Sequence, residues 1–287
     1  MPIAKQDRYR GCLLGLAIGD AMGAPIEFNE PGSFGEVSDL TGGGYFHLKP
    51  GEWTDDTALA LCSAESLVER KNFDPHDHLV RFLKWYREGY MSTRPQSFGV
   101  GLVTASALMR FESTHEDFCG PTGEKTAENG SLMRIAPIPL FYANQPRKAV
   151  RIAKDASRIT HGAPDAVEAC QQMAALIIDC VKGYSKKEIL GQYSHIHAPP
   201  NINRSNYGDA KIALHAALWA FAATNDFKDG LLKAVNLGWD ADTMGAVYGQ
   251  LAGAYYGEGG IPDAWRKTIM KRDFIIGLAD ALLINVR

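Results

Sequence analysis

The stretch Gly51-Glu-Trp-Thr-Asp-Asp-Thr-Ala-Leu-Ala-Leu-Cys-Ser-Ala-Glu-Ser-Leu-Val-Glu69 sets Thr54, Asp55, Asp56 and Thr57 directly ahead of an apolar pattern with helical spacing. The pattern predicts a helix over 56–70. Asp and Thr at a helix start accept hydrogen bonds from free backbone N–H groups and suit the positive helix end. One such residue is enough for that task. Adjacent carboxylates repel one another unless something neutralises them. The stretch is therefore either an over-supplied cap or half of a metal site.

A second stretch, NLGWDADTMGAVYGQLAGAYYG from Asn236 to Gly257, repeats this grammar. Asp240, Asp242 and Thr243 precede another helical pattern rich in Gly and Ala. Two clusters of the same kind shift the balance toward cations. Carboxylates and threonine hydroxyls are hard oxygen ligands, and neither cluster contains His or Cys. That selects Mg²⁺, Mn²⁺ or Ca²⁺ over zinc or copper. A binuclear site about 3.5–4 Å across is compatible with ligands on two helix starts. The positive helix ends disfavour a bare cation, which is a reason for supplying several carboxylates. Glu27, in GDAMGAPIEF, is either a solvated loop carboxylate or a further ligand or base.

Outward from these clusters the helical period dominates. Residues 8–23 form a helix apolar on nearly all sides, hence central. Gly11, Gly15, Gly19 and Gly23 recur every fourth residue along it. Each costs up to about 1 kcal/mol of helix stability relative to Ala, so the strip implies close approach of another backbone. Further helices are expected over 75–88, 99–111, 145–160, 164–182, 186–193, 209–223, 227–237, 242–256, 262–270 and 272–285. The segment 29–53 is turn-rich, with Gly42, Gly43 and Gly44 consecutive, and is expected as a long surface loop or lid between two helices, bordering the outer cleft. Pro137 and Pro139 argue against a central strand in LMRIAPIPLFY. The expectation is one all-α domain spanning 1–287, with long loops gathered at one end.

Composition excludes several classes. The 287 residues carry a formal net charge of -3 and are 46% hydrophobic. No basic stripe favours nucleic acid and no polybasic cluster favours anionic lipid. The five cysteines form no C-x-x-C pair, so reduced, buried thiols in a cytoplasmic protein are expected. The apolar run after Arg10 is too short to span a membrane, and Asp20 interrupts it. His195 and His197 lie in a Pro/Asn-rich segment expected as surface loop. His76 and His78 are expected at a solvated helix start. His161 is either structural or functional on its local pattern, and Tyr207 is a candidate to reach the cleft.

The blocks GCLLGLAIGDAMGAPIEF, WTDDTALAL, FGVGLVTASAL, NGSLMRIAPIPLF, THGAPDAVEA and NLGWDADTMGAVYGQLAGA together resemble the ADP-ribosylglycohydrolase family, particularly its dinitrogenase reductase-activating type. The resemblance covers residues 11–257, with the blocks in the family's order. It implies an all-α orthogonal bundle with a central cleft and two Mg²⁺ or Mn²⁺ ions. Thr54, Asp55, Asp56, Asp240, Asp242 and Thr243 would hold the metals. Asp55 and Glu27 would be the catalytic carboxylates, Glu27 lying near the scissile ribose. Gly99 and Gly101 would line the ribose. Asn129, Gly130, Ser131 and Met133 would hold the pyrophosphate side, and His161 would lie beside the substrate. Trp239 departs from the family, where this position is small or polar. It would either stack on adenine or fill core space behind the site.

The implied activity is hydrolysis of ADP-ribose from an ADP-ribosylated protein, arginine-linked by analogy of length, by a monomer. Its rivals are a non-catalytic ADP-ribose-binding protein and a hydrolase of serine-linked or small-molecule ADP-ribosyl substrates. The complete ligand sets argue against loss of catalysis. An isoprenoid-synthase motif D-D-x-x-D is absent, because position 59 is Leu.

Overall fold

The computed structural model describes residues 2–287. The chain runs through α1 (Lys5–Gly23), α2 (Asp55–Arg70), α3 (Pro75–Glu88), α4 (Leu102–Thr114), α5 (Pro137–Phe141), α6 (Pro146–Arg158) and α7 (Pro164–Lys182). It continues through α8 (Lys186–Ile189), α9 (Ala210–Ala223), α10 (Phe227–Val235), α11 (Ala241–Tyr256), α12 (Asp263–Thr268) and α13 (Arg272–Ile284). Among the described residues there is no β-strand, only the isolated bridges Gly43–Leu48 and Glu128–Asp209. The fold is all-α. No helix among the described residues is long and apolar enough to cross a membrane.

The glycine strip organises the centre. A Cβ placed on Gly11, Gly15, Gly19 or Gly23 would stand 2.4, 2.2, 1.9 and 2.1 Å from the carbonyl oxygens of Gly253, Gly249, Gly245 and Ala241 in turn. The pairing descends α11 as it ascends α1, so the two helices run antiparallel. The glycines of α11 return the relationship, since a Cβ on Gly245 would lie 2.2 Å from the Gly19 oxygen. Backbone meets backbone with no side chain between. The dispersion and Cα–H···O contacts so gained offset the helix propensity lost. The register has a functional consequence: it lays the end of α1, and therefore Glu27, beside the start of α11, with Asp240 and Asp242.

Local differences from the sequence pattern have physical causes. Helix α4 begins at Leu102, because Gly99 has φ +85° and Gly101 is the extended N-cap. Helix α8 stops at Ile189 and gives way to a separate 3₁₀ turn at Gly191–Tyr193. His78 is fully buried, against the expectation of a solvated helix start, while His76 is exposed. The ring of His78 packs on Phe73 and its Nδ1 meets the Asp74 carbonyl. All five cysteines are unpaired and buried.

Candidate active site

The start of α2 is not capped by its own side chains. Thr54 occupies the N-cap position, yet makes no capping bond. The acceptor comes from α1. The Asp20 carboxylate, fully buried, accepts the Thr54 N–H at 2.9 Å, the Thr57 N–H at 3.0 Å, the Thr54 hydroxyl at 3.0 Å and the Thr57 hydroxyl at 2.6 Å. This satisfies orphan donors at the helix start and leaves Asp55 and Asp56 free of capping duty. At the start of α11 the N-cap residue Asp240 makes no side-chain capping bond either, while Asp242 Oδ1 accepts the Thr243 N–H at 2.8 Å. The over-supplied-cap reading is thereby corrected for the α2 cluster. Asp20 escaped sequence reading because it lies inside α1, away from any helix terminus; its one signal was a carboxylate in an otherwise apolar run.

Glu27 is brought to α11 by main chain. The Phe28 N–H donates to the Trp239 carbonyl at 2.7 Å, and the Trp239 N–H donates to the Asn29 carbonyl at 2.7 Å. Gly238 and Trp239 both have positive φ, +72° and +55°. A Cβ on Gly238 would stand 2.8 Å from the Asn29 oxygen, so glycine permits this pairing. The ring of Trp239 stacks on Tyr207 at 5.6 Å and 14°. Tyr207 lines the cavity and Trp239 does not, which puts the tryptophan behind the wall as support.

A cavity of about 520 Å³ opens at this junction, a size suited to a small organic ligand. One wall carries Glu27, Asp55, Asp56, Asp240, Asp242 and Thr243. Carboxylate oxygens of Glu27, Asp240 and Asp242 lie within 4.8 Å of one another. Asn129 Nδ2 donates to Asp240 Oδ2 at 2.6 Å. Burial and then the carboxylates of Asp242 and Asp240 push Glu27 up to about 12. Burial and then Asp20 hold Asp55 and Asp56 well above the usual range, and burial and then Asp240 do the same to Asp242. For each of these groups the strongest charged neighbours are other carboxylates. Glu27 Oε2 and Asp56 Oδ1 are buried without a hydrogen-bond partner. A crowded set of hard oxygens with orphaned lone pairs fits a divalent cation. Thr54 stands just behind, its hydroxyl shared between Asp20 and Asp56.

The other walls come from several loops. Gly99 lies against the acidic wall, where a Cβ would meet Asp55 Oδ1 at 2.8 Å. Gly101, Asn129, Gly130, Met133 and His161 also line the cavity. Ser131 does not: its buried hydroxyl bonds to Ser157 and Cys170. None of residues 29–53 lines the cavity, so of the two expectations for this segment it is a surface loop and not a lid. The loop reaches the rim through Tyr45, which packs edge-on against Phe28. In its place stand Glu124, Lys125 and Glu128, with Arg204 to Asp209 alongside. Main-chain bonds from Asn129 N–H to the Gly208 carbonyl and from Ala210 N–H to the Ala127 carbonyl join these two segments. Of this group only Tyr207 is a candidate from the sequence, because the others carry no motif.

The family model described as ADP-ribosylglycohydrolase matches residues 1–287. The chain belongs to the ADP-ribosylglycohydrolase family. Like the family, it is a hydrolase acting on glycosyl bonds. It is 35% identical to the ADP-ribosylarginine hydrolase Tri1 of Serratia proteamaculans over 96% of its length and 79% of that protein. It is 33% identical to the ADP-ribosyl-[dinitrogen reductase] glycohydrolase of Rhodospirillum rubrum, over 90% of its length and 89% of that protein. A solved structure titled ADP-ribosylglycohydrolase-related protein complex superposes with a TM-score of 0.88 at 42% identity, covering 99% of both chains. Within this glycohydrolase the acidic wall and the lined cavity are the candidate active site.

Proposed function

We propose that this glycohydrolase removes ADP-ribose from arginine side chains of modified proteins, using two divalent cations, Mg²⁺ or Mn²⁺. The observation that carries the proposal is the crowd of buried carboxylates on one cavity wall, with orphaned oxygens on Glu27 and Asp56. Arginine as the acceptor is favoured by the relative named an ADP-ribosylarginine hydrolase.

Thr54, Asp55, Asp56, Asp240, Asp242 and Thr243 are the proposed cation ligands, with Glu27 beside them. When bound, such cations would supply positive charge that polarises the ribose hydroxyls and offsets carboxylate repulsion. The chain's own groups do the rest. Asp55 or Glu27, ionised once the repulsion among the carboxylates is offset, accepts a proton as water adds to the ribose carbon and the bond to the guanidine nitrogen breaks. General-base assistance of this kind is worth roughly 10²–10⁴-fold. Gly99 keeps the floor beside Asp55 open, because any Cβ would fill it. Backbone N–H groups around Gly130 suit diphosphate oxygens. Tyr207, braced by Trp239, offers a flat face for the adenine.

A panel of arginine-linked and serine-linked ADP-ribosyl peptides, each with Mg²⁺ and with Mn²⁺, tests the proposal. Metal-dependent release of ADP-ribose from the arginine-linked peptide is expected. Tight ADP-ribose binding with no turnover on any member would replace the hydrolase with a binding protein. Preference for the serine-linked peptide would overturn the acceptor assignment.

A further inference from the structure

Behind the part of the cavity wall formed by Gly130 and His161, Arg134, Thr160 and His161 form a buried chain of polar groups. The guanidinium of Arg134 is 1% exposed and faces no carboxylate in hydrogen-bond range. Its Nη2 donates to the Thr160 hydroxyl at 2.7 Å. The same hydroxyl lies 2.8 Å from His161 Nδ1. His161 Nε2 is buried with no partner. The ring lines the cavity. A Cβ on Gly130 would stand 3.0 Å from that nitrogen, so glycine leaves this edge of the ring without a covering side chain.

The donor inventory fixes the protons. Arginine only donates, so the Thr160 oxygen accepts from it. The threonine's own proton then needs an acceptor, and His161 Nδ1 is the neighbour in reach. Nδ1 therefore carries no proton and Nε2 carries one. Burial and then the Arg134 charge keep the ring neutral, holding its pKa down to about 3. A second proton on Nδ1 would also meet the threonine's proton head-on.

We infer that Arg134 and Thr160 are positioning residues that lock His161 in the Nε2–H tautomer, presenting a hydrogen-bond donor to an oxygen of the bound ADP-ribosyl group. A buried donor with no acceptor is costly, and a ligand oxygen removes that cost. The chain also accounts for a buried arginine without a carboxylate: its role is directional, setting which way the threonine hydroxyl points. The ligand half of this inference rests on the ADP-ribosyl reading of the site, and the tautomer half does not.

The test is ¹⁵N NMR of histidine-labelled full-length protein, with ADP-ribose titrated into wild type, Thr160→Val and Thr160→Ser. In wild type His161 should show a protonated Nε2 and an unprotonated Nδ1, with the Nε2 signal moving on ADP-ribose addition. Thr160→Val, which keeps the shape and deletes the hydroxyl, should release the lock to a mixture of tautomers. It should weaken ADP-ribose binding about tenfold, the worth of one hydrogen bond to a charged group. Thr160→Ser should restore both. A protonated Nδ1 in wild type, or an unchanged tautomer in Thr160→Val, would overturn the lock. An Nε2 signal indifferent to ADP-ribose that does bind would overturn the donor role. Failure of ADP-ribose to bind wild type would count against the ADP-ribosyl reading and the ligand half with it, while the tautomer signals still decide the lock.

Discussion

Asp20 Oδ2 accepts a 2.6 Å hydrogen bond from the Thr57 hydroxyl, across the gap between the central helix α1 and the start of α2. The same carboxylate takes the Thr54 and Thr57 N–H groups. One α1 residue thus does the capping that the acidic cluster of α2 would otherwise do. Asp20→Asn keeps the size but turns an amide donor toward partners that are themselves donors. The variant should lose about 2 kcal/mol of unfolding free energy, read by urea denaturation. An unchanged midpoint would show that the capping relationship carries no stability.

The glycine register makes a sharper stability prediction. Gly→Ala in a helix ordinarily gains up to about 1 kcal/mol. At Gly19 the added methyl would lie 1.9 Å from the Gly245 carbonyl oxygen, where only backbone movement makes room. Gly19→Ala should therefore destabilise by about 3 kcal/mol, measured by thermal or chemical denaturation. A stabilised variant would contradict the close pairing of α1 and α11.

Buried His78 gives a pH dependence. Burial first, and the Arg134 charge after it, lower its pKa to about 4. A histidine depressed in the fold contributes stability that is complete above its unfolded value, near 6.5. That contribution is lost as pH falls from about 6.5 through about 4, amounting to about 3 kcal/mol. Unfolding free energy followed across this window should fall less steeply in His78→Leu than in wild type, by up to one proton's slope. Equal slopes would place the titration elsewhere.

The acidic wall predicts a response to cations that is independent of turnover. Its carboxylates are buried, mutually repelling and raised in pKa. Binding of Mg²⁺ or Mn²⁺ to the native state should raise Tm in a concentration-dependent way, by linkage. Asp56→Asn and Asp242→Asn should raise the metal-free Tm by relieving repulsion and should blunt the cation effect. A Tm indifferent to both cations would remove the metal reading.

Much of this arrangement was legible because it is written in local grammar. Four-residue glycine spacing declared a close helix pair, and the two acid-threonine clusters declared the ends that meet. The illegible parts are those that depend on distant partners. Asp20 had no helix terminus nearby to mark it. Thr54 and Asp240 occupy cap positions, yet their oxygens are used elsewhere, which depends on a second helix rather than on spacing. The loop over 29–53 had the composition of a cleft cover, but the cavity walls were given to 124–130 and 204–209 by a main-chain pairing no pattern announces. His78 sat in a polar-looking H-D-H run, and its burial follows from the packing of α3 on Phe73.

The central claim is that the two acidic helix starts act as one cation-dependent hydrolytic site. The direct measurement is release of ADP-ribose from an arginine-linked ADP-ribosyl peptide by wild type, Asp55→Ala and Asp242→Ala, each with Mn²⁺, Mg²⁺ or EDTA. The account predicts turnover by wild type with a cation, loss with EDTA that is restored by adding the cation back, and no turnover by either variant although both stay folded. Full activity in Asp55→Ala or Asp242→Ala, or activity undiminished by EDTA, would contradict it.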